Sequence, residues 1–377
     1  MPKASKADTK TLESKFGETA FRLTQERSDF FLPQVLDFVR QKKWINLRPE
    51  YQRRLVWKNS KRSLFIESFL LNVPVPPVFL YEWDLSRYEV MDGQQRLNSI
   101  VDFYENGFAL TGLEKWRELN GFRYRDLPET LQRGLDRRRL SATVLLVEGA
   151  SVAPQRQSDI RKLVFERLNT GGLHLKAQEL RNCLYAGPFN ELLIELSRDL
   201  LFAKIWEIPP YEKNVDRLGN VSTTLKENQL YRRMQDCEIV LRFFALREKS
   251  NIKGSVRSML DRCMEERLEI TDEEIADLRD TFRSRLKLAY DIFGNRVFRF
   301  KENGNWHLSQ TLYDGVMVAL DRLWTKRDRL LSSRARIVSD VAHLLARKSP
   351  FEVIVGRPNT AKAVRKRMEL LVKAIRG

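Results

Sequence analysis

The sequence predicts an α+β chain, a small mixed α/β domain followed by an all-helical domain. Three observations carry this. Short β-branched and aromatic runs alternate with helical periods from about Phe31 to Gly149. A polar stretch from Gly149 to Ser158 that contains Pro154 follows. Beyond Ser158 almost every apolar residue recurs at helical spacing. The expected boundaries are an N-terminal extension over residues 1–30, the mixed domain over 31–150 and the helical domain over 158–377. A chain of 377 residues is long enough for two packed units of ordinary size.

Taken in order, Leu64, Phe65, Phe69 and Leu71 mark a short amphipathic helix that Pro74 stops. Val78-Phe79-Leu80-Tyr81 reads as a buried strand, and Tyr88-Glu89-Val90-Met91 as a second. The second runs straight into Asp92-Gly93 and a helix with Leu97, Ile100, Val101 and Tyr104 on its apolar face, ended by Asn106-Gly107. Thr143 to Val147 is a third strand. In the second half, Asp272 to Phe293 is the clearest helix: Thr271 caps it, Glu274 completes a capping box, and Gly294 sits just past its end. Ile275, Leu278, Phe282, Leu286 and Ala289 form one face of it. Comparable stripes at Leu192 to Trp206, Leu230 to Leu246, Thr311 to Trp324 and Ala361 to Ile375 show no fixed-period similarity, which points to a helical domain and against a solenoid.

Hydrophobic residues at 42% and aromatics at 10% exclude a disordered or fibrous chain. Sixty-seven Lys and Arg against fifty Asp and Glu leave a net charge of +17. Such a balance suits a polyanion, DNA or a nucleotide, although a solvated basic surface counts the same way. The basic residues of the last helices (Arg322, Lys326, Arg327, Arg329, Arg334, Arg336, Lys362, Arg365, Lys366 and Arg367) are candidates for DNA contact or for plain solvation. Cys183, Cys237 and Cys263 lie far apart and read as free buried thiols of a reducing compartment. His174, His307 and His343 are scattered without metal-ligand spacing. Trp306-His307-Leu308 and Ala342-His343-Leu344 read as helical segments carrying core or surface histidines. The N-terminus has no apolar run of a signal peptide, and the stretch Phe69 to Tyr81 is broken by Asn72, Pro74, Pro76 and Pro77. A cytoplasmic protein without a membrane span is expected.

The sharpest local feature is Asp92-Gly93-Gln94-Gln95-Arg96 at a strand-to-helix junction. Free N–H groups at a helix start favour an anion, glycine lets it come close, and arginine offers a planar fork to phosphate oxygens. Asp92 can hold a divalent cation or orient Arg96, and Gln94 and Gln95 can read a base, ribose or phosphate. The competing reading is a tight turn in which Asp92 caps the helix and Arg96 pairs with a nearby acid. Upstream, Arg48-Pro49-Glu50-Tyr51-Gln52-Arg53-Arg54-Leu55-Val56-Trp57 is an extended segment able to line a polyanion pocket. Downstream, Phe165-Glu166-Arg167-Leu168-Asn169-Thr170-Gly171-Gly172 ends one helix and turns toward another, Ala177 to Cys183. Phe103, Tyr104, Phe108 and Trp116 near the motif helix suit a core or a base stack.

The order Y-Q-R-x-x-V-W, F-I-E-S-F-L-L-N-V-P-V-P-P-V-F-L, D-G-Q-Q-R-L and F-E-R-L-N-T-G-G-x-x-L-x-x-x-E-L resembles the N-terminal domain of GmrSD-type restriction endonucleases, from about Leu47 to Leu184. That domain was long catalogued as one of unknown function and is similar in fold to the ParB/sulfiredoxin superfamily. The resemblance implies that Asp92, Gly93, Gln94, Gln95 and Arg96 bind a nucleoside triphosphate and support its hydrolysis. It implies that Gln52 and Arg53 line the same pocket, and that Glu166, Asn169, Gly171 and Gly172 form a second loop that binds Mg²⁺ or places a phosphate. Asp92 is the metal candidate, and Asp92, Gln95, Arg96 and Glu166 are the catalytic candidates. No Walker A loop is present. Many relatives continue into an HNH nuclease, whose histidine cluster is not expected here. The reading is an NTP-binding, Mg²⁺-dependent NTP-hydrolysing, DNA-associated protein of bacterial anti-phage restriction, served by a separate nuclease. The alternative is a non-catalytic DNA-binding or scaffold subunit. Nucleotide identity and monomer against homo-oligomer stay open.

Overall fold

The computed structural model describes residues 23–47, 57–147, 163–164, 167–168, 176–185, 187–216, 221–356 and 360–377. They form two compact units, one from Leu23 to Leu168 and one from Lys176 to Gly377.

The first unit is built on a five-stranded mixed sheet. Its elements are β1 (Leu23–Phe31), α1 (Leu32–Arg40), β2 (Ile45–Asn46), α2 (Asn59–Leu70), β3 (Val78–Asp84), β4 (Arg87–Asp92), α3 (Gln94–Tyr104), α4 (Glu129–Asp136) and β5 (Arg139–Val147). Strand order is β1-β5-β3-β4-β2, with β1/β5 and β3/β4 antiparallel and β5/β3 and β4/β2 parallel. The central residues Val78, Leu80, Val90 and Val144 are buried with Leu97, Ile100, Val101 and Phe103 of α3 in one core. The three strands expected from sequence are present, each longer than its apolar run.

Residues 23–30 belong to this sheet and not to an extension: β1 pairs with β5 from Leu23 opposite Val147 to Phe31 opposite Arg139. Its sequence, LTQERSDFF, reads as polar because an edge strand leaves most of its side chains in solvent. On α2 the buried face is Arg62, Ser63, Phe65, Ile66, Glu67 and Phe69, while Leu71 is exposed past the helix end. Arg62 Nη2 donates to Asp102 of α3 at 2.5 Å, its Nε is buried without a partner, and the guanidinium lies over the Phe108 ring. Glu67 accepts N–H bonds from Glu114, Lys115 and Trp116 at 3.2, 2.8 and 2.8 Å, anchoring a long connection to α2.

The second unit is mostly helical: α5 (Ala177–Leu184), α6 (Pro188–Ser197), α7 (Leu200–Trp206), α8 (Gln235–Arg247), α9 (Val256–Glu265), α10 (Asp272–Phe293), α11 (Gln310–Arg322), α12 (Arg334–Ala346) and α13 (Ala361–Arg376), with shorter helical turns between. On α10, Thr271 Oγ1 accepts the Glu274 N–H at 3.3 Å and the Glu274 carboxylate accepts the Thr271 N–H at 3.0 Å. The stripe at Leu192 to Trp206 is broken at Asp199, whose side chain caps α7; that at Leu230 to Leu246 is broken at Met234, in the left-handed region. Gly315 lets α11 and α13 approach, since a Cβ there would run into Leu371. The unit also contains a hairpin, β6 (Arg299–Glu302) and β7 (Asn305–Leu308), joined by Asn303-Gly304 with φ of 48° and 84°. Asn-Gly with both φ positive is the turn that matches strand twist. His307 therefore sits on an exposed strand, not a helix, and His343 is exposed on α12.

Candidate functional site at the strand-to-helix junction

β4 ends at Asp92, and Gly93 turns the chain into α3 with φ 97° and ψ 10°. A side chain is excluded there twice over. The φ is left-handed, and a Cβ would stand 2.5 Å from Val78 Cγ1. The first backbone bond of the helix is Leu97 N–H to the Gly93 carbonyl. The N–H groups of Gln94, Gln95 and Arg96 therefore precede the ladder, as at any helix start.

Arg96 is 14% exposed and donates to Asp92 Oδ2 at 2.7 Å and to the Pro77 carbonyl at 3.1 Å. The second bond follows from topology. β3 begins at Val78 beside the end of β4, and the proline-rich approach to it leaves Pro77 oxygen free to take a guanidinium. Arg96 Nε is buried without a hydrogen-bond partner. Asp92 serves as Arg96's counter-ion and not as the helix cap; Gly93 occupies the capping position and no side chain bonds there.

The two glutamines point elsewhere. Gln94, buried, donates its amide to the Leu47 carbonyl, and Gln95 Oε1 accepts the Trp57 N–H at 3.1 Å. The motif thus holds the two described residues that bracket residues 48–56. Gln52 and Arg53 lie outside the described residues, as do Glu166, Asn169, Gly171 and Gly172. Among the described residues no group of three His, Cys, Asp or Glu is placed to hold a metal, and Asp92 stands without a second carboxylate bonded to Arg96. A Mg²⁺ at Asp92 is thus a fit only for an ion that brings most of its ligands as phosphate oxygens and water.

Phe103 and Phe108 are core residues, with Tyr104 and Trp116 packed against that core. Behind α3, Tyr104 and Tyr124 stack with centroids 4.4 Å apart and both donate to Asp136 Oδ1 at 2.9 Å. This cluster of three escaped sequence reading because Tyr104, Tyr124 and Asp136 come from three separate segments. At the end of the last motif, Glu179 accepts the Lys176 N–H at 2.7 Å and Arg181 is bound by Asp261 at 2.8 Å and Glu238 at 3.1 Å, all within the second unit.

Residues 34–186 match the model of the family described as GmrSD restriction endonuclease, N-terminal domain. This segment is similar to the N-terminal domain of GmrSD-type restriction endonucleases. It runs from α1 through the sheet to α5, leaving β1 outside its match. Neither a curated protein nor a solved structure gives a match. Among the described residues no helix is long and apolar enough to cross a membrane.

Proposed function

We propose that the GmrSD-type domain binds a nucleoside triphosphate at the Asp92–Arg96 junction and hydrolyses it with Mg²⁺, and that the chain is a DNA-associated component of an anti-phage restriction system, acting on a separate nuclease. The observation that carries the site is Arg96: a guanidinium fixed at a helix start, its Nε unpartnered, beside backbone N–H groups that precede the ladder. Asp92 fixes the fork's orientation before a phosphate arrives. Mg²⁺ brought with the nucleotide would neutralise charge on the phosphate oxygens. The chain's own contribution is positioning and electrostatics, with Arg96 facing charge that grows on the transferred group. Gln52, Arg53, Glu166, Asn169, Gly171 and Gly172 are proposed with it from the family motifs alone. Support for restriction is the family match, and support for DNA is the charge of +17.

A second reading is favoured by the glutamines. Gln94 and Gln95 are already spent on Leu47 and Trp57, and Arg96 on Asp92 and Pro77. The motif is then a structural stitch in a non-catalytic DNA-binding or scaffold subunit.

One experiment separates the two. Phosphate release from each of the four NTPs is followed with Mg²⁺, with and without modified or unmodified duplex DNA, for wild type, Arg96→Ala and Arg96→Lys, each checked for folding by circular dichroism. The first reading expects DNA-responsive turnover in wild type that falls roughly a hundredfold in folded Arg96→Ala, the scale of one lost charge-stabilising donor. The second reading expects no phosphate release from wild type under any condition, and equal nucleotide affinity and turnover in wild type and the folded variant would remove Arg96 from the first reading.

A further inference from the structure

Charge in the last helices does not act as one surface. Arg367 is fully buried, Arg365 donates to the Ile252 carbonyl, and Arg322 is half-buried with its Nε unpartnered. These are structural members of the basic runs. Four exposed cations gather at one place. Lys326, Arg329, Arg336 and Arg376, from a 3₁₀ turn, a short helix, α12 and the end of α13, converge on a cavity of about 190 Å³ floored by Leu323 and Leu330. Arg336 is held there by Asp340 at 2.8 Å and by the Ile375 carbonyl at 3.4 Å. Among the described residues, Lys326, Arg329 and Arg376 show no ion pair, and Arg327 and Arg334 are exposed on neighbouring positions.

We propose that this cavity is a phosphate-binding notch of the second unit and that its ligand is a backbone phosphate of duplex DNA. Four cations from three stretches of the chain, one of them braced by an acid and three without an ion pair, are costly to assemble by like-charge repulsion and are relieved by an anion that guanidinium forks can grip. Arg327 is paired with Asp328 at 3.8 Å, but exposed Arg334 extends positive charge beyond the cavity, which suits a strand of linked phosphates better than one free anion. The assignment rests on the DNA-associated reading above and locates where on the chain that contact is made.

The test uses full-length protein and fluorescence anisotropy on a short labelled duplex across a salt series. The variant Lys326→Gln/Arg329→Gln/Arg376→Gln is compared with Lys226→Gln/Lys249→Gln/Lys253→Gln, which removes equal charge from exposed residues that do not line the cavity. The cavity variant is expected to bind at least about tenfold more weakly, and its log–log salt slope to shrink by about two to three, near 0.9 for each phosphate lost. The control should stay within about threefold of wild type, since net charge acts only diffusely at a distance. Equal weakening in both variants, or none in the cavity variant, overturns the notch while leaving DNA association standing. No DNA binding by wild type at low salt overturns the DNA reading and the notch with it. If inorganic phosphate or an NTP stabilises wild type against heat and not the cavity variant, while DNA affinity is unchanged, the cavity is a small-anion site and its assignment to DNA falls.

Discussion

At the scale of single residues, the junction shows why a motif can be read correctly in place and still be misread in role. Gly93 is required by its φ of 97° and by Val78, before any ligand is considered. A Gly93→Ala protein that fails to bind nucleotide would therefore report backbone strain, not a lost phosphate contact, so Arg96 is the residue to change. The tyrosines behind α3 give a cleaner residue-level signal. Burial first, and then the hydrogen bond and charge of Asp136, push the Tyr124 phenol up to about 12 from 10.0, and they raise Tyr104 as well. A raised pKa in the folded state supplies stability that is whole below pH 10 and is lost as pH climbs toward 12. Asp136→Asn removes the charge and leaves burial. Spectrophotometric titration should then show Tyr124 ionising earlier, closer to 10, and the alkaline limb of the stability curve moving down in pH. An unchanged titration would mean that burial alone sets the phenol's affinity for its proton.

At the scale of elements, apolar rhythm made β3, β4, β5, α3 and α10 legible, because their buried faces are continuous runs or helical stripes. β1 was hidden because its pairing is backbone to backbone and its side chains are mostly in water. The hairpin was hidden by the helices around it, although Asn303-Gly304 carries the turn signal. The junction was legible as a strand, a glycine and a helix. The partners of Gln94, Gln95 and Arg96 were not, since Leu47, Trp57 and Pro77 are brought there by topology. Glu67 is a further element-level device that no periodicity reveals. Burial pushes its carboxyl up, but the N–H groups of Trp116, Lys115 and Glu114 outweigh this and hold it below its ordinary 4.5. Its contribution is present above that value and is lost as pH falls through the lower folded one. Glu67→Gln should cost about 1–3 kcal/mol near neutral pH, because an amide can satisfy the three donors only in part. Urea unfolding at several pH values checks this. The variant's deficit should narrow in acid, where wild type loses the same charge; a deficit constant with pH would assign the cost to packing.

At the scale of the whole molecule, the question is whether two units with separate cores also unfold separately. The second unit carries a charge cluster in its interior that can be used to ask. Arg242 grips Asp314 with bonds of 2.8 and 2.5 Å, and Arg367 lies 3.8 Å from the same carboxylate while donating to the Val353 carbonyl at 3.2 Å. Asp314 and Arg367 are fully buried. For Arg242, burial lowers the guanidinium pKa but Asp314 more than offsets it, whereas burial prevails at Arg367. Asp314→Asn keeps the shape and removes the charge that both arginines face, which should destabilise the unit by about 3–5 kcal/mol, the scale of a buried pair broken on one side. Hydrogen exchange read by mass spectrometry resolves where that loss is felt. Amides of α8, α11 and α13 should lose protection in the variant, since the cluster joins those three helices. If the β1–β5 and β3–β5 ladders keep theirs, the five-stranded sheet folds without help from the helical unit, and a signal between them must pass through binding and not through shared stability. If the ladders lose protection by the same amount, the chain is one cooperative body, and a change at Arg96 reaches the basic cavity through the stability the two units share.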